Sequence, residues 1–250
     1  MARARGRGRH WVFRHALGGA WAPDKPLPSS GMSPWVWWRD QWLETAGSLD
    51  QWTDLTGNGF HALRDGAWPS PAGVPVDGNL NGQPSCDWTG LAASAHWNLG
   101  GGAGPGTGDF SWVFVVWDAV QVTGTQLWGN GGPNDCAAYA RSGGWGDVAY
   151  RQNFVDYFSF VPAIGGGQCV VQSWSAGAAY IRRNAVNLLV GSPWASIVPA
   201  WAVLTVGNNW AWSAAFSGHW AECIGFPGAL DAADCAAVET YARDRYALPF

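Results

Sequence analysis

Charged residues are scarce in this chain of 250 residues: 13% are Asp, Glu, Lys or Arg, whereas 48% are hydrophobic. This balance excludes an intrinsically disordered protein, because such chains combine low hydrophobicity with high net charge. A run of about eighteen consecutive apolar residues, which a membrane-spanning helix needs, is missing too. Since no internal repeat is present either, the sequence favours one domain with a substantial core.

Groups that could catalyse a reaction are few and separated. Glycosidases need two carboxyl groups about 5 to 10 Å apart, one of them acting as a general acid. The only glutamates are Glu44, Glu222 and Glu239, and no acidic motif brings two carboxyl groups together. The five histidines are scattered, and no Gly-x-Ser-x-Gly motif accompanies them. The sequence therefore predicts a protein that is not an enzyme.

Metal-ligand spacing is also absent, so no metal and no cofactor are predicted. The acidic candidates for calcium, Asp135, Asp147 and Asp156, lie in different segments, although hard cations usually draw several oxygens from one loop. The five cysteines form no close pair, and most are expected to be small core residues. They are Cys86, Cys136, Cys169, Cys223 and Cys235. A disulfide between Cys223 and Cys235 stays open at this point.

The clearest local signal is a strand near the C-terminus. Residues 219–226 alternate with a period of two, which places Trp220, Ile224 and Phe226 on one face. Pro227 and Gly228 then predict the end of the strand.

A short amphipathic helix is predicted directly after this strand. Asp231 is a favourable N-cap, and Asp234 stands three residues later, as the acidic partner in a capping box does. Leu230 and Cys235 are placed as a hydrophobic staple across the helix start. The helix is expected to end before Pro249.

Short apolar segments separated by Gly, Asn and Pro clusters predict further strands along the middle of the chain. These segments are residues 126–128, 136–140, 148–152, 156–161, 168–174, 178–182, 186–190 and 200–206. A hairpin turn is predicted at Asn58 and Gly59, because this dipeptide tolerates positive φ. Many short strands with one convincing helix predict an all-β sandwich.

Several segments, in order, resemble LamG-like, concanavalin A-like jelly-roll domains. They are residues 34–40, 51–62, 79–84, 109–116, 221–226, 229–231, 238–241 and 246–248. The resemblance implies a two-sheet antiparallel jelly roll closed by a short C-terminal helix. Arg39, Asp40 and Gln41 depart from the usual opening strand, and residues 129–206 match only in rhythm. Because ligand loops would lie in that middle part, the resemblance transfers no binding residue.

Tryptophan is unusually abundant, at 20 residues, and supplies the candidate ligand contacts. Indole rings beside Gly or Asn in predicted loops could stack on sugar rings, while neighbouring amides bond sugar hydroxyls. The candidate carbohydrate-binding residues are Trp97, Trp128, Asn130, Trp145, Asn208, Asn209, Trp210 and Trp212. Packing of these rings against a neighbouring subunit is an equal alternative.

The N-terminus differs in charge from the remainder. Up to Ser33 the net charge is about +5, which leaves about −9 for the rest, given the total of −4. The predicted anchor residues are Arg3, Arg5, Arg7, Arg9 and Arg14. Arginine suits carboxylate and phosphate groups, so this arm is expected to contact other protein subunits, with nucleic acid as an alternative. The prolines and serines that follow, up to Ser33, predict an extended linker.

Together these features predict residues 1–33 as arm and linker and residues 34–250 as the jelly-roll domain. The leading functional hypothesis is a non-enzymatic, lectin-like adhesion protein that binds surface glycans and is held by its arm in a larger assembly such as a phage virion. The alternatives are a structural decoration subunit and, third, a polysaccharide hydrolase. Because Arg14 and His15 interrupt the only apolar run near the N-terminus, no signal peptide and assembly in the cytoplasm are expected.

Overall fold

The structure is a computed structural model. It describes residues 20–45, 48–64, 75–87, 97–98, 109–120, 125–129, 137–141, 147–152, 155–157, 166–175, 178–190, 205–206 and 217–250. Within these ranges, no helix is long and apolar enough to cross a membrane.

Strands dominate the described residues, and they are numbered here in chain order. They are β1 Val36–Thr45, β2 Ser48–Asp54, β3 Ala62–Arg64, β4 Pro75–Leu80, β5 Gln83–Asp87, β6 Trp97–Asn98, β7 Phe110–Val120, β8 Thr125–Gly129, β9 Ala137–Arg141, β10 Asp147–Gln152, β11 Val155–Tyr157, β12 Gly167–Ser175, β13 Ala178–Arg183, β14 Val186–Val190, β15 Thr205–Val206 and β16 Ser217–Phe226. One helix, α1 Ala232–Tyr246, follows them.

All strand pairs are antiparallel, and one hydrogen-bonded path joins them in the order β11-β10-β9-β8-β15-β6-β3-β2-β1-β16-β7-β12-β13-β14. The remaining pair is a hairpin, β4 with β5, which joins the path through β16. The predicted all-β sandwich is confirmed. The predicted strand at 186–190 has the observed bounds, whereas of 200–206 the described strand is Thr205–Val206.

The central strands β1, β16, β7 and β12 carry a different apolar set on each face. One face packs against α1, and we call its buried residues the helix-side cluster. Its members include Trp37, Val113, Val115, Val171, Ile224, Phe226, Leu230, Val238 and Tyr246. Because α1 covers this face, the helix closes the fold as the sequence predicted.

The opposite face carries a row of aromatic rings. Adjacent ring centroids lie 6.4 Å apart from Trp42 to Trp52, 5.9 Å from Trp52 to Trp38 and 6.3 Å from Trp38 to Trp112. Trp38, Trp52 and Trp112 are completely buried. Aromatic side chains bury large apolar areas, so much of the high tryptophan content serves packing.

A β-bulge in β16 corrects one prediction. The register shifts between Trp220, which pairs with Val116, and Glu222, which pairs with Val115. Because the extra residue, Ala221, interrupts the period of two, Trp220 packs on Phe114 and not on the side of Ile224 and Phe226. The prediction that these three side chains share a face was therefore wrong.

The start of α1 confirms the predicted N-cap but changes the role of Asp234. The Asp231 side chain accepts a hydrogen bond of 2.8 Å from the backbone N–H of Asp234. The Asp234 carboxylate does not complete the capping box; it accepts the backbone N–H groups of Ser29, at 2.9 Å, and Ser30, at 3.1 Å. Both oxygens are thus occupied by a remote segment.

That segment, residues 20–33, is called the strap, and it is not the extended linker that the sequence predicted. Trp21 and Leu27 are buried in the helix-side cluster. The Trp21 ring meets the ring of Tyr241 edge-on with a centroid distance of 5.7 Å. The prolines of this segment permit turns as well as extended chain, and only contact with α1 selects between them. The predicted start of the domain at residue 34 stays a prediction.

The Asp54 carboxylate holds the turn after β2, and the positive φ angles of this turn are at glycines and not at Asn58. Positive φ angles occur at Gly57, 85°, and Gly59, 81°. The Asp54 carboxylate accepts backbone N–H groups from Trp37, Thr56 and Phe60, and the Asn58 amide donates to the Trp35 carbonyl. The sequence located the turn, while these bonds decide its conformation.

Four cysteines are free and buried, in line with the prediction that most are core residues; they are Cys86, Cys169, Cys223 and Cys235. The disulfide considered between Cys223 and Cys235 is therefore not formed. Cys136 lies outside the described residues.

Candidate functional site

A fully buried carboxyl group, that of Glu222, joins β1, β16 and α1. Its Oε1 accepts hydrogen bonds from the Trp37 indole, at 2.5 Å, and from the Tyr241 hydroxyl, at 2.9 Å. Its Oε2 accepts from the Tyr246 hydroxyl at 2.8 Å. These bonds compensate for the loss of hydration that burial of a carboxyl group causes.

Two arginines and one aspartate continue this network toward solvent. Arg39 Nη1 donates to the Tyr241 hydroxyl at 3.4 Å, and Arg39 Nε lies 3.2 Å from Asp40 Oδ1. Arg245 Nη2 lies 3.4 Å from Asp40 Oδ2, and its guanidinium lies 5.4 Å from the centre of the Tyr246 ring. We call the whole set the carboxyl ring. Its members are Arg39, Asp40, Glu222, Tyr241, Arg245 and Tyr246.

Local irregularities in two paired strands position these residues. Between Trp38 and Trp42 the register of β1 against β2 shifts, and this interval holds Arg39 and Asp40. In β16 the bulge at Ala221 turns Glu222 toward the helix side. Bulges redirect side chains and occur often beside functional sites. The last turn of α1 supplies the remaining members of the ring.

Burial dominates the electrostatics of Glu222. Desolvation raises the pKa of this carboxyl group above its ordinary value of 4.5, and the positive charges of Arg39 and Arg245 lower it only in part. Burial and the nearby Glu222 likewise raise the pKa of Tyr246. Burial opposes the positive charge of Arg39, but Tyr241, Glu222 and Asp40 together outweigh it, so the pKa of Arg39 is raised. Both arginines therefore stay charged.

The ring has a closed side and an accessible side. Both oxygens of Glu222 are occupied and the residue is completely buried, so it positions Tyr241 and Tyr246 and does not meet a ligand. Asp40 is 29% exposed, and Arg39 and Arg245 are each 22% exposed. Within the carboxyl ring, these three side chains and the partly buried Tyr241 are therefore the groups that an external molecule could meet.

Sequence reasoning did not find this site. Glu222 was noticed only as one of three separated glutamates, and Arg39, Asp40 and Gln41 only as a departure from the resembled family. That departure was the available signal, since it coincides with the irregular part of β1. Arg245 gave no signal, because a basic residue in the last helical turn is ordinary.

Two of the predicted carbohydrate-binding residues, Trp97 and Trp128, lie in the described part of the chain, in strands that pair with β15 from opposite sides at Val206. Trp97 lies in β6 and not in a loop; it is completely buried, with its ring 6.4 Å from that of Trp52. Trp128 lies in β8, within the segment 126–128 that the sequence also predicted as a strand. The other candidates lie outside the described residues: Asn130, Trp145, Asn208, Asn209, Trp210 and Trp212. Sugar contact by the eight candidates stays a prediction.

Two further sets of candidates are the anchor arginines and the metal ligands. The arm residues Arg3, Arg5, Arg7, Arg9 and Arg14 lie outside the described residues. Among the residues that the structure describes, no group of three or more His, Cys, Asp or Glu side chains could hold a metal ion.

Comparison with known proteins shows that this chain has a fold similar to that of several solved structures. No protein-family profile and no curated protein matches this chain. Among solved structures, it resembles domain 4 of AbnA, a GH43 extracellular arabinanase from Geobacillus stearothermophilus, in complex with arabinotriose. The TM-score is 0.55 at 18% identity, over 78% of this chain and 92% of that domain.

Two larger enzymes match over part of their length. A mutant GH54 α-L-arabinofuranosidase soaked with 4-nitrophenyl α-L-arabinofuranoside gives a TM-score of 0.60 at 14% identity, over 80% of this chain. The Trypanosoma rangeli sialidase in complex with the inhibitor DANA gives 0.59 at 12% identity, over 85% of this chain. The chain spans 51% of the arabinofuranosidase and 33% of the sialidase.

These similarities correct the functional hypothesis. The chain was expected to be a non-enzymatic adhesion protein of an assembly such as a virion, but the similar solved structures belong to carbohydrate-active enzymes. They contradict this leading hypothesis and the prediction that the chain is not an enzyme. The sequence argument erred because it excluded catalysis from the lack of a short acidic motif, although carboxyl groups distant in sequence can come together in a folded sandwich.

Proposed function

We propose that this protein acts in the hydrolysis of a polysaccharide. The observation that carries the proposal is the match over 92% of an arabinanase domain that was solved with arabinotriose. The match extends over nearly all of that domain, so a chance likeness of a few strands does not account for it. The arabinofuranosidase and sialidase matches support the same class of activity.

The accessible side of the carboxyl ring is where the described part of the chain would meet a sugar. Arg39, Asp40 and Arg245 present charged donors and acceptors, and sugar hydroxyls accept and donate hydrogen bonds equally well. Tyr241, itself only partly buried, lies beside them. Such a mixture of aromatic and polar groups is typical of ligand sites.

We also propose that the sandwich is of the LamG-like, concanavalin A-like kind and that it binds carbohydrate. The order of the resembling segments supports this finer assignment, and the antiparallel β-sandwich agrees with it. Contact of the Arg-rich arm with a protein or nucleic acid partner remains a separate prediction.

The experiment that tests hydrolysis is incubation of the full chain with arabinan and with a panel of other plant and animal polysaccharides, followed by measurement of new reducing ends. Release of reducing ends is expected from at least one polymer. Each Asp and Glu is then replaced in turn by Asn or Gln. Loss of release with an unchanged melting temperature would identify the catalytic carboxyl groups.

A matched control separates catalysis from stability. Glu222→Gln is expected to lower the melting temperature, because Glu222 accepts hydrogen bonds from β1 and α1. Asp244→Asn changes an exposed residue whose one partner, among the residues that the structure describes, is its neighbour Arg243. Absence of reducing ends from every polymer, with the chain folded, would refute the proposal.

A further inference from the structure

The two accessible arginines of the carboxyl ring share one weakly held carboxylate. Asp40 Oδ1 lies 3.2 Å from Arg39 Nε, and Asp40 Oδ2 lies 3.4 Å from Arg245 Nη2. Strong guanidinium–carboxylate hydrogen bonds measure about 2.7 to 2.9 Å. Asp40 thus spans both cations without an optimal bond to either.

Aromatic rings hold both guanidinium groups in place before any ligand binds. The Arg39 guanidinium carbon lies 4.6 Å from the centre of the Trp37 ring, and that of Arg245 lies 5.4 Å from the centre of the Tyr246 ring. Arginine stacks readily on aromatic faces and keeps its planar set of donors available. Because Glu222 fixes Trp37 and Tyr246 by hydrogen bonds, the platform is rigid.

Donors remain unused around this position. Arg245 Nε is buried and has no hydrogen-bond partner among the described residues. Arg39 uses Nε and Nη1 within the ring. Arg39 Nη2 and Arg245 Nη1 take no part in the bonds of the ring, so these two nitrogens of partly exposed side chains are the donors that an incoming acceptor would meet.

We propose that Arg39 and Arg245 form a binding site for the carboxylate of an acidic sugar, and that Asp40 occupies this site as an internal substitute until the sugar binds. The inference rests on the proposed function and adds the substrate class to it. A planar carboxylate matches the guanidinium fork, and a ligand carboxylate would approach both arginines without the constraint that the β1 backbone places on Asp40.

The experiment measures binding of the full chain to polygalacturonate and to polysialic acid, with arabinan as the neutral polymer, by affinity electrophoresis and calorimetry. Arg39→Gln and Arg245→Gln should each weaken binding to an acidic polymer about tenfold, as expected for the loss of a charge-assisted hydrogen bond. Asp40→Ala should tighten it several-fold, roughly, because the competing carboxylate is gone. The two acidic polymers distinguish a uronic acid from a sialic acid.

Matched variants exclude trivial causes. Arg243→Gln removes a cation on the same helix that is 42% exposed and paired with Asp244, so it should leave binding unchanged. Arg245→Lys keeps the charge but loses the fork, and it should bind with intermediate affinity while the melting temperature confirms folding. Asp40→Asn repeats the Asp40→Ala test with the shape of the side chain retained.

The results separate this inference from the proposed function. Weaker or unchanged binding in Asp40→Ala, or equal losses in Arg243→Gln and Arg245→Gln, would overturn the carboxylate site. Release of reducing ends from arabinan without binding to either acidic polymer would overturn the site and leave the hydrolase proposal standing. Binding to an acidic polymer without release of reducing ends from any polymer would overturn the hydrolase proposal and leave the carboxylate site standing.

Discussion

Tyr246, the last residue of α1, donates a hydrogen bond of 2.8 Å to the carboxyl group of Glu222 in β16. Both residues are almost fully buried, so this bond ties the end of the closing helix to the centre of the sheet beneath it. Since Trp37 of β1 donates to the same carboxyl group, three elements distant in the chain depend on one acceptor.

Glu222 should make the stability of the protein depend on pH. Burial raises the folded-state pKa above 4.5, so the folded chain binds more protons than the unfolded chain between these two pKa values. The stabilising effect of protonated Glu222 is therefore complete below the pKa that this group has in the unfolded chain, and it declines as pH rises toward the pKa that it has in the folded chain. Glu222→Gln should remove this decline, and urea unfolding at pH 5 and pH 8 measures it.

Tyr246→Phe should change the pH dependence of stability in the opposite direction to Glu222→Gln. The Tyr246 hydrogen bond favours the charged form of Glu222, so its loss should raise the pKa of Glu222 further and steepen the decline of stability with pH. Loss of a buried hydrogen bond should also cost about 1 to 3 kcal/mol. Equal slopes in the wild type, Glu222→Gln and Tyr246→Phe would show that Glu222 does not titrate in this range.

Asp234→Asn should loosen the strap. An amide nitrogen would face one of the backbone N–H groups of Ser29 and Ser30, which the carboxylate now accepts. We expect a loss of about 1 to 3 kcal/mol and faster hydrogen–deuterium exchange in residues 20–33, detected by mass spectrometry. Asp231→Ser is the matched control, because serine still caps α1 while the bond from the Ser29 hydroxyl is lost. Equal exchange in the strap of both variants would contradict the proposed role of Asp234.

Ala185→Gly should stabilise the protein. Asn184 and Ala185 connect β13 and β14 with positive φ angles of 49° and 64°, a conformation that glycine adopts without the strain of a Cβ atom. We expect a gain of about 0.5 to 1 kcal/mol in thermal unfolding. The same substitution at Ala236, an exposed position within α1, should instead cost about 1 kcal/mol, because glycine lowers helix propensity. A loss of stability in both variants would refute the role assigned to φ at Ala185.

Gly225→Ala should destabilise the contact between β16 and the start of β1. A Cβ atom at Gly225 would lie 2.6 Å from the Trp35 indole nitrogen and 2.7 Å from Val36 Cγ1. Trp35 cannot move freely, since its ring packs against Phe60 and Trp112, so we expect a loss of about 1 to 3 kcal/mol. In Gly228→Ala the new atom would meet only the flexible Met32 side chain, and a smaller loss is expected in the same urea titration. A larger loss in Gly228→Ala would contradict this explanation.

Much of the local structure was predictable because local physical rules determine it. The N-cap at Asp231 and the strand at 186–190 follow from neighbouring side chains, and both occur as expected. The capping role of Asp234 failed because a remote segment, the strap, supplied two backbone N–H donors for its carboxylate. Trp97 was misplaced in a loop because its strand has only two residues, too few to show a period of two.

By itself, the sequence determined that this chain buries a large aromatic core in an antiparallel sandwich closed by a helix, because periodicity, turn residues and caps act over a few residues. Only the tertiary structure decided that Glu222, Arg39 and Arg245 belong to one network. The reason is that bulges in β1 and β16 change which way side chains point, and pairing between distant strands decides where such bulges form.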